Sequence, residues 1–280
     1  MDYSNPEIPE GINTSQQHPF KDFLILTTGV LGSIALCAFL LGLFAEQLAL
    51  YIPFSTEQEL LKKIDIEEDS VESNPEIQDY LNKLTAQLLP HINLPEEMTV
   101  QVSYVDDSIE NAFASLGGQI SIYRGLIKLL PNENALAMVI AHEIAHIKYR
   151  DPIVALGRGI VVGLFLTAII GNNTDRFVGS IINDTGTVTV LGFNRQQERR
   201  ADETALKTLA SYYGHVNGAD ALFKEFLKTE DEFDSHTPEF FSTHPLSDNR
   251  INDIQTQADK NNWATEGKLV ALPSFITDMN

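Results

Sequence analysis

His142-Glu143-Ile144-Ala145-His146 is the stretch that decides how this chain is interpreted. On an α-helix, residues i and i+4 lie on the same face, one turn apart. The two imidazoles of the stretch can therefore bind one metal ion, with the glutamate between them beside the open coordination position. The sequence thus predicts a metal site carried by a single helix.

The neighbouring residues predict that helix and indicate that it is buried. Asn132 or Asn134 can cap a helix over residues 135–149, and Asp151-Pro152 would end it. Its apolar residues lie nearly all round, which is typical of a buried helix: Ala135, Leu136, Met138, Val139, Ile140, Ile144 and Ile147. The HExxH spacing is typical of zinc-dependent peptidases, and the alternative is a pair of hydrogen-bonded core histidines.

Composition excludes some classes of protein. The 280 residues allow one or two domains, and the formal net charge of −20 without a Lys/Arg-rich block argues against nucleic acid as a partner. The single cysteine, Cys37, excludes an internal disulfide framework.

Phe23–Phe44 contains no charged residue and, as a helix, would be about 33 Å long, enough to cross a bilayer. We predict one N-terminal transmembrane anchor there, after a disordered polar tail (residues 1–22) and before a connecting segment (residues 45–73). A buried soluble helix is the alternative. A cleavable signal peptide is disfavoured by the long acidic segment that precedes the run.

A second apolar stretch, Ile153–Ile170, is open to two interpretations. A single crossing would separate the HExxH motif from any later metal ligand, and Asn183-Asp184 interrupts the next candidate for a return span. We therefore expect a helix that packs over the site or dips into the membrane interface, with a membrane hairpin as the alternative.

The remaining chain predicts an α+β fold, rich in helices with one small sheet. Helical spacing marks residues 77–89, 195–212, 218–228 and 246–259, whereas residues 98–105, 112–116 and 119–123 have the pattern of strands. Residues 185–191 are ambiguous between strand and loop.

A catalytic zinc ion usually has three protein ligands, so one more is expected after the motif. Pro152 stands where a metzincin would have its third histidine. Glu198 and Asp202 lie one turn apart on the helical stripe that continues through Ala205 and Leu209, which would point both carboxylates inward. A solvated acidic face is the alternative.

The chain resembles the membrane zinc metallopeptidases of the HtpX and CAAX prenyl endopeptidase family, which are gluzincins, in its single-anchor, BepA-like branch. The resemblance spans about residues 77–254. It is carried by these motifs: His142-Glu143-x-x-His146, Glu198-x-x-x-Asp202, Ser242-Thr243-His244-Pro245 with Arg250-Ile251, Asn111-Ala112-Phe113-Ala114, and Gly118 with Tyr123-Arg124-Gly125-Leu126.

The resemblance implies a minimal zincin domain over residues 74–260, followed by a C-terminal tail (residues 261–280), with one Zn²⁺ per chain. Glu198 would be the third ligand after His142 and His146. Asp202 would orient a ligand histidine. His244 would lie at the zinc, either stabilising the oxyanion or filling the fourth position as an inhibitory ligand, and Arg250 would support its loop.

The expected chemistry is peptide hydrolysis by a zinc-activated water, with Glu143 as general base. In zincins of this type, an edge strand beside the motif helix aligns the substrate by β-addition. The candidate strand is Gln119, Ile120, Ser121, Ile122 and Tyr123, and Asn111 would hold substrate backbone.

The first functional hypothesis is an endopeptidase of membrane or envelope protein quality control that acts on peptides or on unfolded or membrane proteins. Its anchor would lie in a bacterial inner membrane and its catalytic domain in the periplasm. The second hypothesis is a latent or non-hydrolytic chaperone or assembly factor that keeps the zinc fold. A prenyl-peptide protease is disfavoured, because an intramembrane chamber needs many helices. The oligomeric state stays open.

Overall fold

The computed structural model describes residues 18–63, 74–170, 192–230, 239–244 and 250–279. Its helices are α1 (Pro19–Ala49), α2 (Phe54–Lys63), α3 (Pro75–Leu88), α4 (Arg124–Leu129), α5 (Glu133–Lys148), α6 (Asp151–Ile170), α7 (Arg195–Tyr213), α8 (Ala221–Glu230), α9 (Glu239–Thr243), α10 (Arg250–Asn261) and α11 (Ser274–Thr277). Its strands are β1 (Gln101–Val105), β2 (Ala112–Ala114) and β3 (Gln119–Tyr123). The helix-rich α+β prediction is confirmed.

Helix α1 contains the predicted anchor but is longer than Phe23–Phe44 at both ends. Residues 19–22, assigned from the sequence to a disordered tail, are helical. Large apolar side chains along the helix are exposed, for example Phe23, Leu36 and Phe44. Among the described residues, α1 is the one helix long and apolar enough to cross a membrane.

The second apolar stretch is helical, as predicted, and forms most of α6. Its side chains Ile153, Val154 and Leu156 are buried in one cluster with Ala49, the last residue of α1. Further along, α6 continues to pack against α1. The helix therefore begins at the domain and runs beside the candidate anchor.

The sheet has the strand order β1-β3-β2. β3 pairs with β1 in parallel and with β2 in antiparallel orientation. The prediction that Gln119–Tyr123 is an edge strand is therefore wrong, because both of its backbone edges already pair with neighbouring strands. The edge strand that packs against α5 is β2.

Helices α3 and α5 cover the core around this sheet. Asn132 caps α5, since its side chain accepts a hydrogen bond from the backbone N–H of Ala135 at 2.9 Å. Helix α5 ends at Lys148, before Asp151-Pro152 as predicted; the chain then turns through Arg150, which adopts a left-handed conformation with φ of 63°, and Asp151 begins α6.

The C-terminal residues 261–279, assigned from the sequence to a tail, pack against the domain. The backbone N–H of Val216 donates to Ala264 at 2.8 Å, and that of Glu133 donates to Val270 at 2.9 Å. Ile276 is 3% exposed. The segment thus covers the start of α5. Residues 185–191, predicted as strand or loop, lie outside the described residues.

Candidate metal centre

Helix α5 brings His142, Glu143 and His146 to one buried face, each 2% exposed or less. The Nε2 atoms of the two histidines are 3.0 Å apart. The helical spacing of the motif therefore produces the convergence that was predicted from it.

Helix α7 supplies Glu198. Asn194 and Gln197 form a capping box that fixes the start of the helix, and Glu198 follows in the first turn. The buried stripe predicted for Ala205 and Leu209 is present, at 0% exposure for each. Glu198 places Oε1 3.4 Å from Nε2 of His146 and Oε2 3.5 Å from Nε2 of His142.

His244, directly after α9, completes the cluster and is fully buried. Its Nδ1 lies 3.2 Å from Nε2 of His142 and 3.1 Å from Oε1 of Glu198. Its Nε2 points to the other side and lies 3.4 Å from Oε1 of Glu143. His244 is thus wedged between the candidate ligands and the candidate base.

These distances match the edges of a tetrahedron. Four ligand atoms at about 2.0–2.1 Å from a zinc ion would be separated by about 3.3–3.4 Å. Nε2 of His142, Nε2 of His146, Oε1 of Glu198 and Nδ1 of His244 form a ring of four such separations, from 3.0 to 3.4 Å, and Oε2 of Glu198 lies 3.5 Å from Nε2 of His142. Nδ1 of His244 therefore stands at the fourth corner, where a catalytic site would hold water.

The hydrogen-bonding chemistry of the cluster requires a cation. Nδ1 of His142 lies 2.9 Å from Oδ1 of Asp202, and Nδ1 of His146 lies 2.9 Å from Oδ2 of Asp151. Since a carboxylate only accepts, Nδ1 of His146 carries the proton of its hydrogen bond to Asp151, and the close approach of Asp202 favours the same tautomer for His142; each Nε2 then presents a lone pair when its ring is neutral. Two lone pairs and the Glu198 carboxylate then face one another in a buried space, which a divalent metal ion would fill.

The pKa values of the metal-free site also show that the cluster favours a positive charge. Burial lowers the pKa of His146, but Asp151 and Glu198 outweigh it and raise the pKa to about 10. Burial would raise the pKa of Glu198, but His244, His142 and His146 hold it well below its usual range. A metal ion would replace the protons that this cluster attracts.

Asp202 and Arg250 lie where the resemblance implies. Arg250 donates from Nε to Oδ2 of Asp202 and from a terminal nitrogen to Oδ1, both at 2.8 Å. Arg250 also lies 3.2 Å from Oε2 of Glu198. Although Asp202 is buried, this arginine and His142 lower the pKa of its carboxyl to about 2.

Glu143 is fully buried, and neither carboxylate oxygen has a hydrogen-bond partner among the described residues. A buried carboxylate without partners is unfavourable unless a further group belongs beside it. Water would be that group once Nδ1 of His244 leaves the fourth corner.

Three residues of the site were not identified as site residues from the sequence. Asp151 contacts His146, as described above. The ring of Phe193 stacks on His146 at 4.0 Å, and the ring of Phe240 stacks on His244 at 4.5 Å. Phe193 precedes the helix cap Asn194, and Phe240 lies four residues before His244. These positions, next to a helix cap and a motif histidine, were the sequence features that could have pointed to the two rings. Apolar residues beside motifs are common in any core, however, so the signal was weak.

The predicted substrate-binding residues lie on neighbouring segments, since the backbone N–H of Tyr123 donates to the carbonyl of Asn111 at 3.1 Å. Asn111 directly precedes the edge strand β2, is 4% exposed, and its Oδ1 accepts no hydrogen bond within the described part of the chain. Gln119 to Tyr123 form the central strand β3, whose backbone is paired on both sides.

A family model described as "Peptidase family M48" matches residues 74–258. The chain is 27% identical to the Beta-barrel assembly-enhancing protease of Escherichia coli (strain K12) over 205 residues, which cover 67% of this chain and 40% of that protein. It is 27% identical to the Mitochondrial metalloendopeptidase OMA1 of Schizosaccharomyces pombe over 157 residues, 55% of this chain and 45% of that protein.

A Protease HtpX homolog of Aquifex aeolicus is 23% identical over 290 aligned residues, 85% of this chain and 90% of that protein. The chain thus spans about two fifths of the E. coli relative and nearly all of the A. aeolicus one. The family match covers well over half of the chain and includes every candidate ligand placed on α5, on α7 and at His244. The chain belongs to peptidase family M48, whose model matches residues 74–258.

Proposed function

We propose that this protein is a membrane-anchored, zinc-dependent endopeptidase. The observation that carries the proposal is the buried cluster of four converging donor atoms on His142, His146, Glu198 and His244, with the carboxylate of Glu143 beside it, which accepts no hydrogen bond among the described residues. Zinc fits this donor set, because imidazole nitrogens and a carboxylate in tetrahedral arrangement are its usual ligands.

Zinc bound there would lower the pKa of a coordinated water to about 7 and polarise the scissile carbonyl. Glu143 would take the proton from the attacking water and pass it to the departing amine. Asp202 would keep the Nε2 lone pair of His142 directed at the metal, and Arg250 would fix that carboxylate in place.

The substrate would bind along β2 instead of β3. β2 is the edge strand that packs against α5, so its outer backbone edge can accept a peptide by β-addition. Asn111, at the start of this edge, has an amide oxygen without a partner among the described residues and would receive a backbone N–H of the peptide.

The conformation described here is closed. The backbone N–H of Phe240 donates to the carbonyl of Glu110 at 3.0 Å, which fastens α9 beside the start of β2. The same short helix delivers His244 to the fourth corner of the metal site. Hydrolysis therefore requires the segment Glu239–His244 to withdraw, so the enzyme is latent until it does. The second candidate function, a non-hydrolytic assembly factor, corresponds to a segment that never withdraws.

Envelope protein quality control is the role we propose, with the anchor in a bacterial inner membrane and the catalytic domain in the periplasm. The name of the E. coli relative refers to β-barrel assembly, an envelope process. The exposed apolar surface of α1 supports attachment to the membrane.

The test is hydrolysis of an unfolded protein, β-casein, by the full chain in detergent, compared with the Glu143→Gln variant. Loss of general base catalysis should slow cleavage by about 10²- to 10⁴-fold at equal zinc content. Glu203→Gln, the same change at an exposed position of α7, is the matched control and should cleave like the wild type.

Equal cleavage by the wild type and Glu143→Gln would contradict the proposal. If neither the wild type nor a His244→Ala variant cleaves while zinc is fully bound, the non-hydrolytic function takes its place.

A further inference from the structure

Asp151 is a buried carboxylate that links a candidate metal ligand to helix α7. It is 1% exposed. Its Oδ2 lies 2.9 Å from Nδ1 of His146, while its Oδ1 accepts hydrogen bonds from Gln197 at 2.8 Å and from Arg200 at 2.7 Å. Each oxygen is therefore used, one toward a candidate ligand and the other toward helix α7.

The arrangement repeats the one around the other histidine. Asp202 contacts Nδ1 of His142 and is held by Arg250, just as Asp151 contacts Nδ1 of His146 and is held by Arg200. We infer that Asp151 is a positioning residue that holds His146 in the tautomer and orientation required for zinc binding. The inference rests on the proposed zinc site.

The backbone places Asp151 for this task. It lies five residues after His146, and the chain turns between them through the left-handed conformation of Arg150. Such a conformation is uncommon for a residue with a side chain. Contacts with another part of the chain stabilise this conformation. Arg150 donates from Nε to Glu57 at 2.6 Å and from a terminal nitrogen to the carbonyl of Ile52 at 2.7 Å.

The physical effect follows from the proton on Nδ1. A carboxylate that accepts this proton fixes the lone pair of Nε2 toward the metal and makes the imidazole a better donor. Partners of this kind contribute about 10- to 100-fold in metal affinity. Both ligand histidines of α5, and not only His142, would therefore depend on a carboxylate.

The test measures zinc affinity of the full chain in detergent by competition with a chelator. Asp151→Asn has one acceptor oxygen, so it can serve His146 or the pair Gln197 and Arg200, but not both. We expect zinc binding at least about 10-fold weaker, as for Asp202→Asn. Thr208→Val is the matched control, because Thr208 is fully buried on α7 and its hydroxyl donates to the carbonyl of Thr204, away from the metal ligands.

Two further measurements separate positioning from a purely structural role. The melting temperature of the zinc-free protein reports the fold, and the visible spectrum of the cobalt-substituted protein reports the ligand geometry. Asp151→Asn should change the cobalt spectrum, and Thr208→Val should not. Asp151→Glu should restore part of the zinc affinity, because it keeps two acceptor oxygens.

Wild-type zinc affinity in both Asp151→Asn and an Asp151→Leu variant would overturn the inference and leave the proposed function intact. So would a lower melting temperature of the zinc-free protein with unchanged affinity and spectrum. A wild-type protein that binds no zinc would overturn both proposals.

Discussion

Helices α1 and α5 are both built from nearly continuous apolar sequence, yet they end in opposite environments. Large side chains of α1 such as Leu36 remain 58% exposed, whereas Ile140 of α5 is 0% exposed. The polar residues explain the difference. α1 has no charged residue between Phe23 and Phe44, while α5 carries His142, Glu143 and His146, which later parts of the chain surround. The apolar helix whose polar residues find partners is covered by protein, and we propose that α1, which has none between Phe23 and Phe44, is covered by lipid.

The most direct test of this comparison places the same charged residue in both helices. Ile140→Asp would bury an unpaired carboxylate among core side chains, and we expect it to destabilise the domain by more than about 4 kcal/mol in urea unfolding. Leu36→Asp should leave domain unfolding unchanged but weaken membrane insertion by about 3 kcal/mol, measured by flotation with liposomes. Equal loss of domain stability in both variants would show that α1 is a core helix.

Metal removal should lower the free energy of unfolding of the domain around α5 and should leave α1 unaffected. With free zinc at about 1,000 times its dissociation constant, bound metal adds about 4 kcal/mol to the free energy of unfolding. A chelator should remove this stabilisation from the wild type and from Glu143→Gln, which keeps all ligands. His146→Ala should start without it, and an equal chelator effect on that variant would exclude His146 as a ligand.

His244→Ala tests whether the fourth corner is blocked. If His244 holds the place of water, its removal opens the position, and cleavage of β-casein should rise about tenfold, equivalent to about 1.4 kcal/mol. If His244 instead stabilises the oxyanion, cleavage should fall by about 10²- to 10³-fold. Zinc content is measured in both proteins, so that a lost ligand is not mistaken for lost catalysis.

The smallest effect concerns Glu57 of α2, which links the region after α1 to the turn after α5. Burial raises the pKa of Glu57, against the opposing effects of the Gly117 N–H and of Arg150. A raised pKa means that the folded state binds this proton more tightly than the unfolded state, so the stabilisation is present below pH about 4.3 and is lost as pH rises through the folded-state pKa.

The comparison is between the unfolding free energies of the zinc-free wild type and Glu57→Gln from pH 4 to pH 7.5. The advantage of the wild type should shrink as pH rises through the folded-state pKa. An advantage that grows with pH would mean that the pair with Arg150 outweighs the cost of burial.

Residues that act through local spacing were predictable from the sequence. HExxH fixed the helix face, the stripe through Ala205 and Leu209 pointed to Glu198, and Ile77, Leu81, Leu84 and Leu88 of α3 are buried at their predicted helical spacing. Periodicity reports which face of an element is apolar, and a single helix supplies both that face and the site residues on it.

Features that depend on distant pairing were not predictable. The edge position predicted for Gln119–Tyr123 was wrong, because β1 pairs with β3 in parallel across the intervening β2 segment and nothing within Gln119–Tyr123 reveals that partner. Asp151 looked like the end of a helix, since the role of its carboxylate depends on the left-handed turn at Arg150 and on Arg200 of α7. The packing of residues 261–279 is equally non-local.

The central claim is that His142, His146 and Glu198 bind one zinc ion beside Glu143. Anomalous diffraction at the zinc absorption edge, from crystals of the full chain in detergent, tests it most directly. The account predicts one peak per chain at about 2.0–2.2 Å from Nε2 of both histidines and from the Glu198 carboxylate. No peak between these three side chains, or a zinc ion held by other residues, would contradict the account.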